Sequence, residues 1–348
     1  MNTFFLEYRD PLFSIIIFFV IIFIITFFSY WWGRFKSKED SRDLNKFLKQ
    51  FRSLPSKNEL KVMISGGEIS EKSWLLLAQS YYKNGEFEKS IEIYNELLSV
   101  LNSKNTKETL FLLGRTYFKA GFLERAKKIF LEILKNNPRT PQALHYLLLV
   151  YEYMRDYKSA LEVLEPLEEL NTEIESEALY LKILSLLNDF TIDDEQKIKE
   201  LLSIYKLKHE FTYMIFEYLF RVNPKVAWKS LDNSKCELLS DILWHLDKRD
   251  LDLDIISNNG YLREIYSARG DVDFSKKSNV FELDILIKLG LDSTATLSFE
   301  YVCDDCKRVF PFSFHRCSSC HSIDSLSVEM SLSKDYQKDY IHENNSFV

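Results

Sequence analysis

Glycine and proline are scarce in this sequence. Nine glycines and seven prolines make up fewer than one in twenty of its 348 residues, against about 12% in an average protein. An all-β fold needs a tight turn about every ten residues, so the scarcity argues against one. Hydrophobic residues make up 46% of the chain and aromatic residues 15%, which excludes a mainly disordered protein. We therefore expect a helix-rich chain.

Cysteine is scarce as well, and it is unevenly placed. Four of the five cysteines lie between residues 303 and 320, which is not the distribution of a secreted disulfide scaffold. The net charge of −7 argues against a general nucleic-acid binder, so we expect no nucleic-acid partner. The chain also lacks G-x-G-x-x-G, G-x-x-x-x-G-K-S/T and H-E-x-x-H motifs. We expect neither catalytic residues nor an enzyme.

A long uncharged run lies near the N-terminus. Residues 12–28 carry no charge, and extended to Trp32 the segment has 21 residues. A helix of that length spans about 31 Å, which matches a hydrocarbon core of about 30 Å. The flank before the segment is not a basic signal-peptide start, and no small-residue cleavage site follows it. We predict a single transmembrane helix over Leu12–Trp32, rather than a signal peptide or a soluble core helix.

The flanking charges predict the orientation of this helix. One basic residue, Arg9, precedes it, and several follow it closely. They are Arg34, Lys36, Lys38, Arg42 and Lys46. The positive-inside rule places the bulk of the chain in the cytoplasm, so we expect a single-pass protein of the cytoplasmic membrane. The basic segment is either a solvated linker or a surface that lies on anionic headgroups.

The middle of the chain repeats a helical pattern at offsets of 36 and then 34 residues. Each copy carries apolar residues at the spacing of one helix face, then a second apolar stripe that opens on a small residue. The positions are Trp74, Leu77, Ala78, Tyr81, Ser90, Tyr94 and Leu97; Leu110, Leu113, Gly114, Tyr117, Ala126, Phe130, Ile133 and Pro138; and Leu144, Leu147, Leu148, Tyr151, Ala160, Leu164 and Leu167. The pattern resembles the tetratricopeptide repeat, a helix–turn–helix unit of about 34 residues. We expect Gly85 and Gly121 in the turns and Pro141 in the first turn of a helix.

Further helical segments follow with the repeat pattern mostly lost. We predict helices over 173–188, 193–207, 211–221, 224–231 (capped by Asn223) and 237–246. Cys236 lies in this region, beside leucines, and is interpreted as a small buried residue.

The resemblance to tetratricopeptide repeats implies a concave groove lined by the first helices, where protein partners bind. Projected onto this chain, the groove positions combine aromatic residues with both charges. They are Gln79, Tyr82, Lys83, Arg115, Phe118, Lys119, His145, Leu149, Glu152 and Tyr153. Seven glutamates between residues 162 and 177 form a second charged stretch, interpreted as a solvated helix face or a surface for a basic partner.

The C-terminal cysteines form two C-x2-C pairs, Cys303 with Cys306 and Cys317 with Cys320, ten residues apart. Two such loops supply a tetrahedral shell of four thiolates, which leaves no open position for catalysis. The flanks, 296–301 and 325–332, alternate like short strands. We predict a structural metal site that holds Zn²⁺, with iron as the alternative. The alternatives are two disulfides, or a metal ligand from His315 or His321 in place of a cysteine.

The order of these parts resembles the lipopolysaccharide assembly protein B family. Within the metal module the resemblance lies in Tyr301-x-Cys303-x2-Cys306 and His315-Arg316-Cys317-x-Ser319-Cys320. The family implies an adaptor of the inner membrane that binds an FtsH-type membrane protease and promotes turnover of the lipid A deacetylase. It also implies a rubredoxin-like module that packs against the repeats. Lys307 occupies the position after Cys306 where knuckle families usually have glycine.

The predicted architecture is all-α: a tetratricopeptide-type α-solenoid after one transmembrane helix, with a small C-terminal β module of the zinc-ribbon or rubredoxin-like kind. The predicted segments are a periplasmic N-terminus (1–11), the membrane helix (12–32), a basic linker (33–69), the solenoid (70–292), the metal module (293–332) and a polar tail (333–348). The alternatives for function are a membrane-tethered scaffold for another complex, an iron-binding redox module and a nucleic-acid binder acting through the knuckles. The oligomeric state stays open, with a homo-oligomer among the options.

Overall fold

The computed structural model describes residues 18, 20–27, 57–66, 69–100, 106–170, 173–273, 277–290 and 294–334. The chain divides into two compact units, one ending at Thr172 and the other beginning at Glu173.

Little of the predicted membrane segment Leu12–Trp32 falls within the described residues. Residues 20–27 are helical with exposed side chains, and the segment is otherwise described only at Phe18. Over the part of the chain that the structure covers, no helix is both long and apolar enough to cross a membrane. The predicted N-terminus 1–11 and most of the predicted linker 33–69 also lie outside the described residues. Where the linker is described, it contains a helix, α1 (Lys57–Ser65).

The first unit continues with helices that follow the repeat pattern. They are α2 (Glu71–Lys83), α3 (Phe87–Val100), α4 (Thr106–Lys119), α5 (Leu123–Asn136), α6 (Pro141–Tyr153), α7 (Tyr157–Glu162) and α8 (Leu164–Glu168). Each apolar stripe faces the core, where Trp74, Tyr94, Leu113, Phe130 and Leu148 are at most 2% exposed.

Local signals in the sequence set the ends of these helices. The Ser70 side chain accepts a hydrogen bond from the Ser73 backbone N–H and caps α2, which satisfies one of the free donors of the first turn. Gly85 and Gly121 adopt φ values of 80° and 81° in the turns after α2 and α4, as predicted. Pro141 begins α6, also as predicted. Gly85 and Gly121 thus turn the chain within the first two helix pairs, and each pair forms a hairpin.

The third hairpin departs from the other two because its second helix is interrupted. Val163 separates α7 from α8, and Pro166 lies in α8. A proline inside a helix lacks the N–H donor, and its ring clashes with the carbonyl four residues before it, here Glu162. The helix therefore breaks at the residue that follows Glu162.

The second unit begins with longer helices and ends in short ones. Its helices are α9 (Glu175–Asn188), α10 (Asp194–Leu207), α11 (Thr212–Val222), α12 (Pro224–Ser230), α13 (Ser240–His245), α14 (Leu253–Asn258), α15 (Gly260–Arg269) and α16 (Phe281–Leu289), with 3₁₀ turns at Asn233–Leu239 and Lys248–Asp250. The predicted helices over 173–231 are confirmed to within two residues at each end. The helix predicted over 237–246 is instead a 3₁₀ turn followed by α13.

A chain of aromatic contacts forms the core of this unit. Tyr205 meets Phe216 edge-on, Phe220 meets Trp228, and Trp228 lies near Tyr266. The Asn223 side chain accepts a hydrogen bond from the Val226 N–H and caps α12, which confirms the predicted cap.

A three-stranded antiparallel sheet follows α16. Its strands are β1 (Ala295–Cys303), β2 (Val309–Phe310) and β3 (Leu326–Lys334), and β1 lies in the middle. Leu297 pairs with Leu332, and Cys303 pairs with Leu326. The two strands predicted at 296–301 and 325–332 are thus confirmed, and β3 runs two residues further.

Candidate metal centre and repeat groove

The sheet brings the two cysteine pairs to one place. Cys303 is the last residue of β1, and the chain turns through Cys306 into β2. The second pair lies in a turn between Arg316 and Ile323, which pair as an isolated bridge. The Asp304 N–H donates to the Ser325 carbonyl at 2.7 Å and ties the first turn to the start of β3.

Both turns have the same backbone hydrogen bonds. The Lys307 N–H donates to the Cys303 carbonyl at 2.8 Å, and the His321 N–H donates to the Cys317 carbonyl at 2.9 Å. Lys307 and His321 adopt φ values of 57° and 65°, the left-handed region that costs non-glycine residues about 1–2 kcal/mol. The chain therefore builds both knuckles without the glycine that usually relieves this conformation.

The four sulfurs are arranged as a metal shell requires. All four cysteine Sγ atoms lie within 4.8 Å of one another. The Cys303 and Cys320 sulfurs are 3.6 Å apart, and those of Cys306 and Cys317 are 3.7 Å apart. Tetrahedral coordination with a Zn–S bond of about 2.3 Å places neighbouring sulfurs about 3.8 Å apart. The four cysteines can therefore bind a metal ion, and the prediction of Cys303, Cys306, Cys317 and Cys320 as a cluster is confirmed.

The surroundings of the cluster favour a thiolate at its centre. Burial opposes ionisation of Cys303, but the Cys306 N–H and the hydroxyls of Ser322 and Ser325 together lower the pKa of its thiol to about 5. The Ser325 Oγ lies 3.4 Å from the Cys303 sulfur. Burial raises the pKa of Cys317 to about 12, so this cysteine needs a cation beside it in order to ionise. A bound metal supplies that positive charge and releases the proton.

Neither histidine beside the cluster belongs to it. The described residues that meet as a metal-ligating group are the four cysteines. The His315 Nε2 instead pairs with a Glu217 carboxylate oxygen at 2.8 Å. The cluster is thus an all-thiolate site.

The predicted groove residues fall into two sets. Most lie at the surface, half-buried or exposed: Gln79, Tyr82, Lys83, Arg115, Lys119, His145, Glu152 and Tyr153. Leu149 is fully buried and Phe118 is 8% exposed, so these two side chains pack inside the repeats. Phe118 meets the rings of Tyr146 and Tyr153 edge-on at 5.8 and 5.3 Å.

Gln79, Tyr82, Lys83 and Arg115 line one cavity of about 160 Å³. A second cavity of about 520 Å³ lies beside it, and Leu112 lines both. The structure therefore brings together one part of the predicted groove, where α2 and α4 meet.

Two sequence models of the tetratricopeptide repeat match this chain, over residues 71–100 and over residues 111–165. These ranges contain α2 and α3 and most of α4 to α8. The chain carries tetratricopeptide repeats.

Solved structures of other repeat proteins resemble the chain. MamA from Desulfovibrio magneticus RS-1, residues 41 to the end, is 24% identical over 46% of this chain and 89% of its own, with a TM-score of 0.36. An ArsTM double mutant of MamA RS-1 gives the same values. A thermophilic TPR protein from Thermus thermophilus is 17% identical over 56% of this chain and 99% of its own, with a TM-score of 0.28. A search of curated proteins finds no match.

Tetratricopeptide repeats indicate a scaffold for protein–protein interaction. The first unit contains the matched repeats, and the second carries the four-cysteine cluster on its sheet. Sequence reasoning missed how the second unit holds that sheet against its own helices.

Charged and polar residues hold the sheet there. Arg316 is 8% exposed; it pairs with Glu177 of α9 and lies 4.7 Å from the centre of the Tyr180 ring. His315 pairs with Glu217 of α11. Glu177 belongs to the acidic stretch that the sequence suggests is a solvated face. In the sequence, the feature that could have pointed to these contacts is the position of His315 and Arg316 directly before Cys317.

A shared carboxylate adds a third attachment. The Tyr213 and Tyr301 hydroxyls both donate to Oδ2 of Asp241, at 2.6 and 2.8 Å. These residues belong to α11, β1 and α13, so one acid joins two helices to the central strand. No pattern in the sequence marks Asp241, because its partners lie 28 and 60 residues away.

Proposed function

We propose that this protein is a membrane-anchored scaffold that binds a protein partner in the groove of its tetratricopeptide repeats. The observation that carries the proposal is the repeat array matched over residues 71–100 and 111–165. Cavities lined by aromatic, polar and charged side chains lie on that array, and such surfaces suit a peptide segment. The metal site would leave no open position for catalysis, since four thiolates would fill a tetrahedral shell.

The metal in this proposal is zinc, and its role is structural. A sheet with strands of nine, two and nine residues is too small to form a sufficient core alone, so a bound ion would add folding free energy. Metal analysis of the purified full-length chain should find one zinc per chain and no visible absorption. Visible iron–thiolate bands from the protein as isolated would replace zinc with iron and favour the redox alternative.

The anchor in this proposal is the segment Leu12–Trp32. Its support is the uncharged run of residues 12–28 and the basic residues that follow it. The full-length chain should resist extraction from membranes by alkaline carbonate, and a chain lacking residues 12–32 should be released. Protease added to right-side-out vesicles should leave the repeats intact if they face the cytoplasm. Digestion of the repeats would reverse the orientation.

A finer proposal names the partner. The resemblance to the lipopolysaccharide assembly protein B family supports an FtsH-type membrane protease, with the lipid A deacetylase as the protein whose turnover is promoted. It rests on the shared order of parts and on the motifs around Tyr301 and Cys317. The metal module would serve there to keep the second unit folded.

Crosslinking in intact cells tests both levels. The tagged full-length chain is crosslinked, purified from membranes and compared by mass spectrometry with a variant in which Tyr82 and Phe111 are replaced by alanine. The scaffold proposal expects a defined set of membrane proteins that the variant loses. If the set lacks a protease, the finer proposal fails and the scaffold stands. If the variant captures the same set as the original chain, the groove is not the binding surface.

A further inference from the structure

An arginine in the repeat groove lies among three aromatic rings. The Arg115 guanidinium carbon is 5.4 Å from the centre of the Tyr82 ring, 6.0 Å from that of Phe111 and 5.9 Å from that of Tyr146. The three rings come from α2, α4 and α6, one from each repeat. Aromatic faces attract a cation and fix the plane of a guanidinium. Arg115 is therefore held in place before any ligand arrives.

The charge of Arg115 has no counter-ion within the part of the chain that the structure describes. Its Nε is buried, and no described residue accepts a hydrogen bond from it. A buried N–H donor without an acceptor is costly, because burial removes water without a replacement. Binding of an anion would remove that cost.

The cavity beside Arg115 is a cationic notch. Arg115 and Lys83 line it together with the neutral side chains of Gln79, Tyr82, Tyr94 and Thr116. No acidic residue of the described chain lines it. Its volume of about 160 Å³ is close to that of an engineered cavity of about 150 Å³ that accepts benzene. One carboxylate side chain would therefore fit.

A second cavity fixes the class of ligand. The neighbouring cavity of about 520 Å³ has an apolar part formed by Phe111, Leu112 and Ile133, and Leu112 also lines the notch. Its remaining lining is polar or charged: Lys107, Glu108, Thr140 and Gln142. A free anion such as phosphate would use the notch alone. An extended peptide with an apolar residue two positions after an acidic one would fill both, since side chains i and i+2 of an extended segment point to the same face about 7 Å apart.

We propose that the notch formed by Arg115 and Lys83 binds a glutamate or aspartate side chain of a partner's extended acidic peptide, with the apolar side chain two residues along that peptide in the adjoining cavity. The inference rests on the scaffold function proposed above and names the chemistry of its partner. Arg115 forms the ion pair, and Tyr82, Phe111 and Tyr146 position it.

Fluorescence anisotropy with two labelled peptides tests this proposal. One peptide repeats the unit Glu-Glu-Leu-Leu, which places a leucine two residues after every glutamate, and the other has glutamine in place of every glutamate. The full-length chain should bind the glutamate peptide at least about tenfold more tightly, because a charge-assisted hydrogen bond is stronger than a neutral one. The preference should shrink as salt is raised. Equal affinity for both peptides, or no binding of the glutamate peptide, overturns the proposal.

Matched variants assign the effect to Arg115. R115Q should weaken binding of the glutamate peptide about tenfold and leave binding of the glutamine peptide unchanged. R115K keeps the charge but loses the planar fork, so it should fall in between. K128Q removes the same charge from the exposed surface of α5 and should bind as the original chain does. Equal affinities of R115Q and K128Q for the glutamate peptide contradict the proposal.

Two readouts keep the inference separate from the scaffold function. Thermal unfolding of each variant shows whether R115Q is folded, and R115K supplies the answer if it is not. Crosslinking in cells then compares R115Q with K128Q. If both capture the same membrane proteins, the acidic-peptide inference fails while the scaffold stands. If the original chain captures none but the peptide preference depends on Arg115, the notch stands and the scaffold function fails.

Discussion

At the scale of single residues, the backbone imposes conformations that the sequence does not announce. Gly85 and Gly121 relieve two left-handed turns, but the third repeat has Arg155 in the corresponding turn, with a φ of 60°. Lys307 and His321 carry the same strain in the metal knuckles. A Cβ in this region meets the backbone, and only surrounding contacts hold the residue there. Replacing these residues with glycine should therefore relieve backbone strain and stabilise the folded chain.

Lys307→Gly should stabilise the metal module. Removing the Cβ relieves about 1–2 kcal/mol of strain in the folded state. Glycine also makes the unfolded chain more flexible, which lowers stability by about 0.4–1 kcal/mol. We expect a net gain of up to about 1 kcal/mol, read as slower loss of metal to a chelator and a higher melting temperature.

The control for this variant is Lys307→Ala, which removes the same charge but keeps the Cβ. The ion pair of Lys307 with Asp304 spans 3.6 Å between exposed side chains, so its loss should matter little. If the alanine variant gains as much as the glycine variant, strain is not the cause.

At the scale of helices, stability depends on how closely the two helices of a repeat approach. Gly114 of α4 faces α5: a Cβ added there would lie 2.8 Å from Phe130 Cε1 and 3.2 Å from Ile129 Cγ2. Phe130 is fully buried and stacks on Tyr146 with ring centres 5.5 Å apart. Phe130 therefore has no room to retreat.

Gly114→Ala should destabilise the chain even though alanine is the better helix former. The gain in helix propensity is about 1 kcal/mol, whereas overpacking a core costs about 1–3 kcal/mol. We expect a net loss of about 1 kcal/mol in denaturant unfolding. Phe130→Leu provides the matched test, because a smaller side chain makes room for the new methyl group. The double variant should lose less than the sum of the two single variants, and simple additivity would rule out the clash.

At the scale of the molecule, the sheet that carries the cysteines is part of a helical unit. Arg316 with Glu177, His315 with Glu217, and Tyr301 with Asp241 attach it to α9, α11 and α13. Asp241 is 6% exposed, and its Oδ1 has no hydrogen-bond partner among the described residues. Losing either tyrosine hydroxyl would remove one of the hydrogen bonds that this buried carboxylate accepts, which is costly.

Stability of the second unit should fall at alkaline pH through these two phenols. Burial and the Asp241 charge raise the pKa of Tyr213 and of Tyr301 above the ordinary value. A raised pKa in the folded state stabilises the fold fully below the unfolded value of about 10, and this stability is lost as pH rises beyond it. Denaturant unfolding from pH 8 upward should show the free energy of unfolding decline above about pH 10.

Tyr301→Phe should lower stability by about 1–3 kcal/mol at pH 7 and flatten the alkaline decline. Tyr153→Phe, in an exposed position of the first unit, should do neither. If Tyr301→Phe shows the same alkaline decline as the original chain, ionisation of Tyr301 does not contribute to that decline.

Metal removal should loosen helices of the second unit as well as the sheet. The strand that ends at Cys303 also carries Tyr301, two residues before it. A disordered knuckle would therefore break the Asp241 clamp, the pair of hydrogen bonds from Tyr213 and Tyr301 to the Asp241 carboxylate. Hydrogen exchange after chelation should accelerate in α11 and α13, with peptides of α4 as the internal reference. If exchange accelerates only within residues 295–334, the contacts at Asp241 do not carry the effect of metal removal to α11 and α13.

The sequence by itself determined the helical repeats, the strands and the four thiolates. Those features rest on local rules: a 3.6-residue apolar period, a small residue where helices meet, a capping asparagine at residue 223 and two C-x2-C loops. Each depends on residues close together in the chain, so one sequence suffices to read it. The break at Val163 before Pro166 follows from the same kind of rule.

Only the tertiary structure decided which distant side chains meet. The clamp at Asp241 joins residues 28 and 60 positions apart, and Glu177 reaches Arg316 over 139. The three aromatic rings around Arg115 come from three different repeats. Leu149, which the sequence predicts in the groove, lies in the core. No local rule predicts such meetings, because the relative placement of packed elements sets them. The acidic stretch looked like a solvated face for that reason, although one of its members anchors the metal module.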